Sequence, residues 1–434
     1  MRSFPNGISR LVVTGFLSLG LVLGGCGKPK EDFSGRARPQ VSKGQELPQR
    51  QASVPGELKR VGRTPEGFAQ AVVTAGLPLL FSRQLLPVDA KGQLVQGNDA
   101  EDSAKAQAQQ LVENLDILLS ETGSDWEKLV RIHAYVKDAK TGEVLIQSLL
   151  ARINEDSRPA FTLVETPLPL AEAGMALDVV AIASANPGEM RLLRCPRLWG
   201  EDGFADVAVV PPDELVFFSG YPERGEPREA TAKVLSGLMQ MAEQLSVTKS
   251  NVAQLKVFAQ PVGLAEVVKD QLRELFTNEL VPPVVFVEWI ASAPVEIEMI
   301  AFREANTGGS EEKLVFYNPP GTKPSPTFSR ATVLGRSEII FVSGLWASGA
   351  GDGVTEVRHI FGQLEEILKT VSSDMRHLVK ATYYVSGKDA SAALDKLRPE
   401  YFELGKAPAA SKAMVHGVGK AGRTITLDMI ATSP

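Results

Sequence analysis

Ile339-Ile340-Phe341-Val342-Ser343-Gly344 is an apolar run that closes on Ser-Gly, and altered forms of it occur earlier as Phe217-Phe218-Ser219-Gly220 and Leu80-Phe81-Ser82. A motif written three times in one long chain points to tandem copies of a single unit. The residues after each run agree. A loop leads into a helical stripe: Leu111, Leu115, Leu118 and Leu119 in the first copy, Val234, Leu238, Met241 and Leu245 in the second, Val357, Phe361, Leu364, Ile367 and Val371 in the third. Such spacing leaves one dry face per helix.

Next comes an alternating strand: Val130-Arg131-Ile132-His133-Ala134-Tyr135-Val136, Gln254-Leu255-Lys256-Val257-Phe258, and Val379-Lys380-Ala381-Thr382-Tyr383-Tyr384-Val385. Period two predicts a sheet wet on at least one side. A second helix comes after it, clearest over Leu264 to Phe276 and Ala390 to Leu397, and then a Pro opens another strand at Pro159, Pro282 and Pro408. Each copy closes on Asp178-Val179-Val180-Ala181-Ile182-Ala183, Glu296-Ile297-Glu298-Met299-Ile300-Ala301 or Thr426-Leu427-Asp428-Met429-Ile430-Ala431. The unit is therefore α+β, a mixed sheet with both helices on one face, whose other face needs a cover. The copies run over residues 63–190, 191–308 and 309–434, the second being the most eroded and the third the best preserved.

The N-terminus reads differently. Arg2 and Arg10 precede an apolar run from Leu11 to Leu23, too short for a membrane span, which ends in Leu23-Gly24-Gly25-Cys26. Positive charge, an apolar stretch and small residues before a Cys have the form of a lipoprotein signal peptide spanning residues 1–26, with Cys26 the lipidated residue and the chain exported and membrane-anchored. Residues 27–62 are rich in Pro, Gly, Gln and basic side chains and bury too little to order, so a disordered tether is expected there. The net charge of −6 supplies no broad basic face for nucleic acid. Two Cys exclude a disulfide scaffold, and with Cys26 lipidated Cys195 is structural filler.

The strand ending in Phe-x-Ser-Gly, the Pro-led strand and the final Glu-Ile-Glu-x-Ile-Ala strand together resemble the Rid family (RidA, YjgF, L-PSP). Copy three, from Leu314 through Phe328-Ser329-Arg330-Ala331 to the end, fits best. The resemblance implies a chorismate-mutase-like fold that packs bare sheet faces as a trimer, with a small-molecule pocket at each subunit interface. Three copies in one chain then imply an intramolecular pseudo-trimer and a monomeric protein. Beads on a string would leave three apolar sheet faces in water.

In that family, deamination of reactive imines depends on an Arg in Pro-Ala-Arg-Ser, whose planar fork holds a carboxylate. The corresponding residues here are Phe161, Val284 and Ala410. The family's acidic residue on the last strand corresponds to Asp178, Glu296 and Thr426. Glu298 shares a strand face with Glu296, which places the two either to perturb each other or on a solvated edge. Phe68 and Phe328 keep a ring where the family often has Tyr. Arg330, Ser411, Lys412 and His416 form a possible substitute set in copy three, or ordinary surface residues beside a turn; Arg83, replacing the Gly of the first Ser-Gly, is a weaker candidate.

Gly349-Ala350-Gly351-Asp352-Gly353 is a flexible connection rather than a phosphate cradle, and His133, His359, His377 and His416 lack a ligand spacing, so neither metal nor cofactor is expected. Two functions remain open. One is a binding module with degenerate deaminase sites, for a small carboxylate or imine-type metabolite or a protein. The other is an imine/enamine deaminase with a rearranged pocket. Endoribonuclease activity, described for some family members, is weaker given the charge and the export signal.

Overall fold

A computed structural model describes residues 56–304, 313–349 and 351–434; the expected signal peptide, Cys26 and all of the tether before Gly56 lie outside the described residues. Among the described residues there are three six-stranded sheets, each carrying two helices. Asp side chains start several of the helices. Asp99 accepts from the backbone N–H groups of Glu101 and Asp102 at α1 (Ala100–Glu121), Asp138 caps α2 (Ala139–Arg152), and Asp352 caps α5 (Gly353–Thr370). Each satisfies amides that the first turn leaves without partners. The glycine-rich connection thus ends in a helix cap, and Gly353 is glycine because a Cβ there would lie 2.4 Å from the backbone of Ala390 in α6 (Lys388–Leu397).

The first sheet has the strand order β5 (Ala160–Glu165), β4 (Leu129–Val136), β6 (Met175–Ile182), β3 (Leu79–Ser82), β8 (Val207–Val210), β7 (Arg191–Leu193). The second repeats it as β11 (Val284–Glu288), β10 (Val252–Ala259), β12 (Val295–Arg303), β9 (Glu214–Glu223), β14 (Ala331–Leu334), β13 (Leu314–Tyr317), with α3 (Pro227–Gln244) and α4 (Ala265–Leu275) against it. The third is β17 (Ala409–Met414), β16 (Leu378–Val385), β18 (Ile425–Ala431), β15 (Ile339–Val342), β2 (Ala71–Ala75), β1 (Glu57–Val61). Every sheet thus takes four strands from one repeat and a hairpin from the next. The ring closes where the N-terminal hairpin β1–β2 pairs antiparallel with β15, Ala71 opposite Val342 and Thr74 opposite Ile339. Two expectations are corrected by this arrangement. The tether expected up to residue 62 gives way at Glu57 to a strand, and the sheets are offset by one hairpin from the repeats of the sequence.

Three apolar cores lie between sheets and helices, and two more are shared by all three sheets. The shared clusters contain Phe81, Phe217 and Phe341 in one case and Tyr135, Phe258 and Tyr384 in the other. The three sheets therefore cover one another, and the protein is an intramolecular pseudo-trimer of α+β units. Strands β4, β10 and β16 are buried at all eight positions, not wet on one side. Their alternation is real, but the polar residues face the centre of the assembly, where side chains from the other repeats meet them.

Candidate functional site

The three junctions between repeats differ residue by residue. Where the third repeat meets the first, the Ser343 hydroxyl accepts from the Phe161 amide at 2.8 Å and donates to the Ala69 carbonyl at 2.6 Å, while the Gly344 amide donates to the Phe161 carbonyl at 2.9 Å. The Phe161 ring stacks on Phe68 with centroids 4.2 Å apart and planes 8° from parallel. Both rings are buried, and the stack fills the space between the strands. The Thr162 and Thr426 side chains border Gly344, and both hydroxyls are buried without a partner.

Where the second repeat meets the third, Ser219 repeats the pattern, accepting from the Ala410 amide and donating to the Ser329 carbonyl, both at 2.6 Å. The Gly220 amide donates to the Ser411 hydroxyl at 3.1 Å. Glu296 lies beside them. A Cβ on Gly220 would fall 1.9 Å from its Oε1 and 2.2 Å from Ser411 Oγ, so only glycine lets this carboxyl approach. Burial pushes the Glu296 carboxyl up to about 7; the Ser411 hydroxyl counters that, and the Glu298 carboxylate adds to it. An acid poised near neutrality is what proton transfer requires. Phe328 packs against the third repeat's core, which includes Ala410, and the Arg330 guanidinium sits 5.1 Å from the Phe328 ring centre. Among the described residues that guanidinium makes no hydrogen bond or ion pair.

Two members of the expected substitute set face elsewhere. Lys412 is bound by Asp395 at 2.6 Å and Ser391 at 3.2 Å, both on α6, so it is engaged outside the junction. His416 pairs with Glu288 at 3.0 Å, at the rim, with 44% of its side chain exposed.

Where the first repeat meets the second, Ser82 turns back to accept from the Val179 amide and donate to the Arg83 carbonyl. Gln84 takes over the bridging, its amide donating to the Val284 carbonyl and its side chain pairing both ways with Phe286. Arg83 is held by the fully buried Asp206, Nε to Oδ1 at 2.6 Å, and so carries no free charge into the small cavity of about 70 Å³ between Trp199, Phe204 and Val284. Cys195 is buried nearby, and burial raises its thiol to about 12, so it is not a nucleophile.

Strand pairing corrects one equivalence. His133 of β4 faces Asp178, Lys256 of β10 faces Glu298, and Thr382 of β16 faces Asp428. Asp178, Glu298 and Asp428 are therefore matched positions, two residues on from Ala176, Glu296 and Thr426. The sequence alignment set Asp178 beside Glu296 because both copies end in Ile-Ala, which recurs two residues out of phase. Asp178 belongs to a buried polar layer between the two shared apolar clusters. There it accepts from the Tyr135 hydroxyl at 2.7 Å and meets His133 Nδ1 at 3.1 Å, whose Nε2 lies 2.9 Å from Asp428. Arg131 reaches Asp428 at 3.1 Å, Lys380 reaches Glu298 at 2.8 Å, and Lys256 reaches the Tyr384 hydroxyl at 3.2 Å. Sequence reading passed over Arg131, Lys256, Lys380 and Asp428. Their signal was present as charged residues at matched positions of strands too apolar elsewhere to face water.

A cleft of about 800 Å³ begins at Gly344 and runs along α5, bounded by Trp346, Arg358, His359, Gln363, Lys420 and Arg423. Lys420 pairs with Glu66 at 2.8 Å and lies 5.7 Å from the Trp346 ring centre; Arg423 bonds the Gly349 carbonyl at 2.7 Å.

A family model described as endoribonuclease L-PSP matches residues 63–185 and 321–432, more than half of the chain. The chain belongs to the endoribonuclease L-PSP family. The matched segments leave out the second repeat. Solved structures to which the chain is similar include a member of the YjgF family from Neisseria meningitidis, 15% identical over 28% of this chain and 95% of that one, TM-score 0.22. A Rid-family protein from Yersinia pestis is 20% identical over 28% and 99%, TM-score 0.23. A YjgF-family member from Mycobacterium tuberculosis is 17% identical over 23% and 85%, TM-score 0.20. Each corresponds to about one repeat of this chain. No curated protein matches the chain in sequence.

Proposed function

We propose that this member of the endoribonuclease L-PSP family is a binding module for a small anionic metabolite, with degenerate deaminase sites, displayed from a membrane by a lipid on Cys26. The observation that carries the binding reading is the cleft along α5. Its volume of about 800 Å³ suits a small organic ligand, Trp346 offers it an apolar wall, and the cationic side chains Arg358, Lys420 and Arg423 line it, each also meeting a carboxylate, Glu400, Glu66 and Glu356 in turn. A carboxylate-bearing molecule with an apolar body matches that lining. Degeneracy is supported by Phe161, Val284 and Ala410, which stand in matched register on β5, β11 and β17 and offer no fork for a carboxylate.

Calorimetric titration of the chain lacking residues 1–26 with short 2-oxo acids and aromatic carboxylates tests this reading. Saturable binding that weakens at least tenfold in Arg423→Ala and Lys420→Ala is expected. Equal heats for wild type and both variants would refute it.

A second reading, hydrolysis of imines at the junction of the second and third repeats, is favoured by the Glu296 carboxyl held near 7 with the Ser411 hydroxyl beside it, and by Arg330 over the Phe328 ring at the same junction, whose guanidinium has no partner among the described residues. It requires turnover of 2-iminobutanoate generated in situ, abolished in Glu296→Gln and Arg330→Ala. No turnover by wild type excludes it.

A further inference from the structure

The junction of the first and second repeats is used by neither reading above, yet it holds the cavity of about 70 Å³ between Trp199, Phe204 and Val284. Leu86, Pro169 and Phe286 complete its apolar wall. The cavity lies just under the surface. Trp199 is 37% exposed, and its pyrrole edge rests against Gly92, where a Cβ would fall 2.3 Å from Nε1.

Every charged or amide side chain in the lining already has partners among the described residues. All three nitrogens of the Arg83 guanidinium have acceptors: Nε meets Asp206 Oδ1 at 2.6 Å, Nη1 the Gln84 carbonyl at 3.0 Å, and Nη2 the Trp199 carbonyl. The Gln84 side chain gives both its nitrogen and its oxygen to the backbone of Phe286. Lys269 is bound by Glu201 and, at 2.9 Å, by Glu266; Glu201 is bound in turn by Arg273 at 2.8 Å. Lys269 and Arg273 also lie over the Phe286 and Phe204 rings, 5.9 and 5.0 Å from the ring centres. An ionic guest would give up its hydration and find no free partner here. An apolar guest gives up nothing polar and gains the contacts of three aromatic rings. The lining therefore selects an uncharged guest, and the volume sets its size. An apolar cavity of about 150 Å³ takes benzene, so one of about 70 Å³ has room for an aliphatic group of about three carbons.

We propose that the cavity between the first and second repeats is a second binding site, which takes the short aliphatic chain of an uncharged molecule. The chain enters between Trp199, Phe204 and Val284, and the neutral polar end of the molecule stays at the mouth, in water. The site lies at a different junction from the α5 cleft and stands whether or not that cleft binds anions.

Nuclear magnetic resonance of the chain lacking residues 1–26 tests the site through the Trp199 Nε1–H signal, assigned by its loss in Trp199→Phe. The probes are butyramide, whose propyl chain fits the volume, and butyrate, its anionic counterpart. A saturable shift with butyramide is expected, with affinity falling about fourfold for each methylene removed in propionamide and acetamide. Butyrate at the same concentrations is expected to leave the signal in place. No saturable shift with butyramide, or an equal one with butyrate, overturns the proposal. Ala205 also lines the cavity, so Ala205→Leu fills it and is expected to abolish the butyramide shift; an unchanged shift places the guest elsewhere and overturns the proposal too. Should that variant not fold, wild-type crystals under xenon pressure decide: xenon between Trp199, Phe204 and Val284 supports the site, and its absence there overturns it.

Discussion

Replacing Glu296 by Gln tests the electrostatics of the junction between the second and third repeats. In the folded protein the carboxyl titrates at about 7 against a reference of 4.5, with burial the chief cause. A raised acid favours the protonated native state. Stability is thus undiminished below about pH 4.5, falls as pH rises towards 7, and stays lowered above it. At about 1.4 kcal/mol per pH unit, the difference amounts to about 3 kcal/mol of stability absent at pH 8. The residue is 7% exposed, so solvent screens little of this. Gln keeps an oxygen to accept from Ser411 and never ionises. Urea unfolding of wild type and Glu296→Gln should therefore diverge, the variant gaining about 2 to 3 kcal/mol on wild type between about pH 5 and 8. Parallel pH profiles for the two proteins would refute the assignment of a buried acid at this position.

Gly220→Ala places a methyl group 1.9 Å from Glu296 Oε1 and 2.2 Å from Ser411 Oγ, and should destabilise by about 1 to 3 kcal/mol in the same unfolding assay. Gly362→Ala, in the interior of α5 with nothing within 4 Å of the added carbon, should instead stabilise by about 1 kcal/mol. Arg131→Met strips Asp428 of its guanidinium partner and should cost about 3 to 5 kcal/mol, read as a fall in Tm. Ala410→Arg returns a guanidinium to the strand beside Glu296 and Ser411; tighter binding of 2-oxobutanoate than by wild type is expected in calorimetry, and no change would show that the surrounding space no longer admits the fork.

The repeats, their helices and the order of strands within each were legible because apolar spacing records which face of an element is dry. The cover for the sheets was legible only through the family resemblance, since periodicity in β4, β10 and β16 has the same form whether the polar face meets water or a buried layer. The hairpin offset left no local trace: Val72 and Val73 suit a strand in either sheet, and the short connection Gly76-Leu77-Pro78 reads as an ordinary turn between β2 and β3. At the candidate site, the side chains without charge at Phe161, Val284 and Ala410, in matched register on β5, β11 and β17, could be read directly. The engagement of Lys412 by Asp395 could not, because it joins a strand to a helix on a surface that sequence spacing does not specify. The carboxyl register failed for a simpler reason, an Ile-Ala pair recurring two residues out of phase.

The hairpin that closes the ring also sets an order of events. β1 and β2 are the first described strands to be synthesised, yet β15, the strand that receives them, comes about 260 residues later. Closing so long a loop is an entropic step that the local contacts within each sheet do not need. The first two sheets can gather their strands from neighbouring stretches as they appear, whereas the hairpin β1–β2 waits, with the edge of β2 open, until β15 is made. The last sheet to be completed thus takes in the first strands made: a nascent chain exposes at β2, and a chain lacking β1–β2 would expose at β15, an edge able to recruit a strand from another molecule.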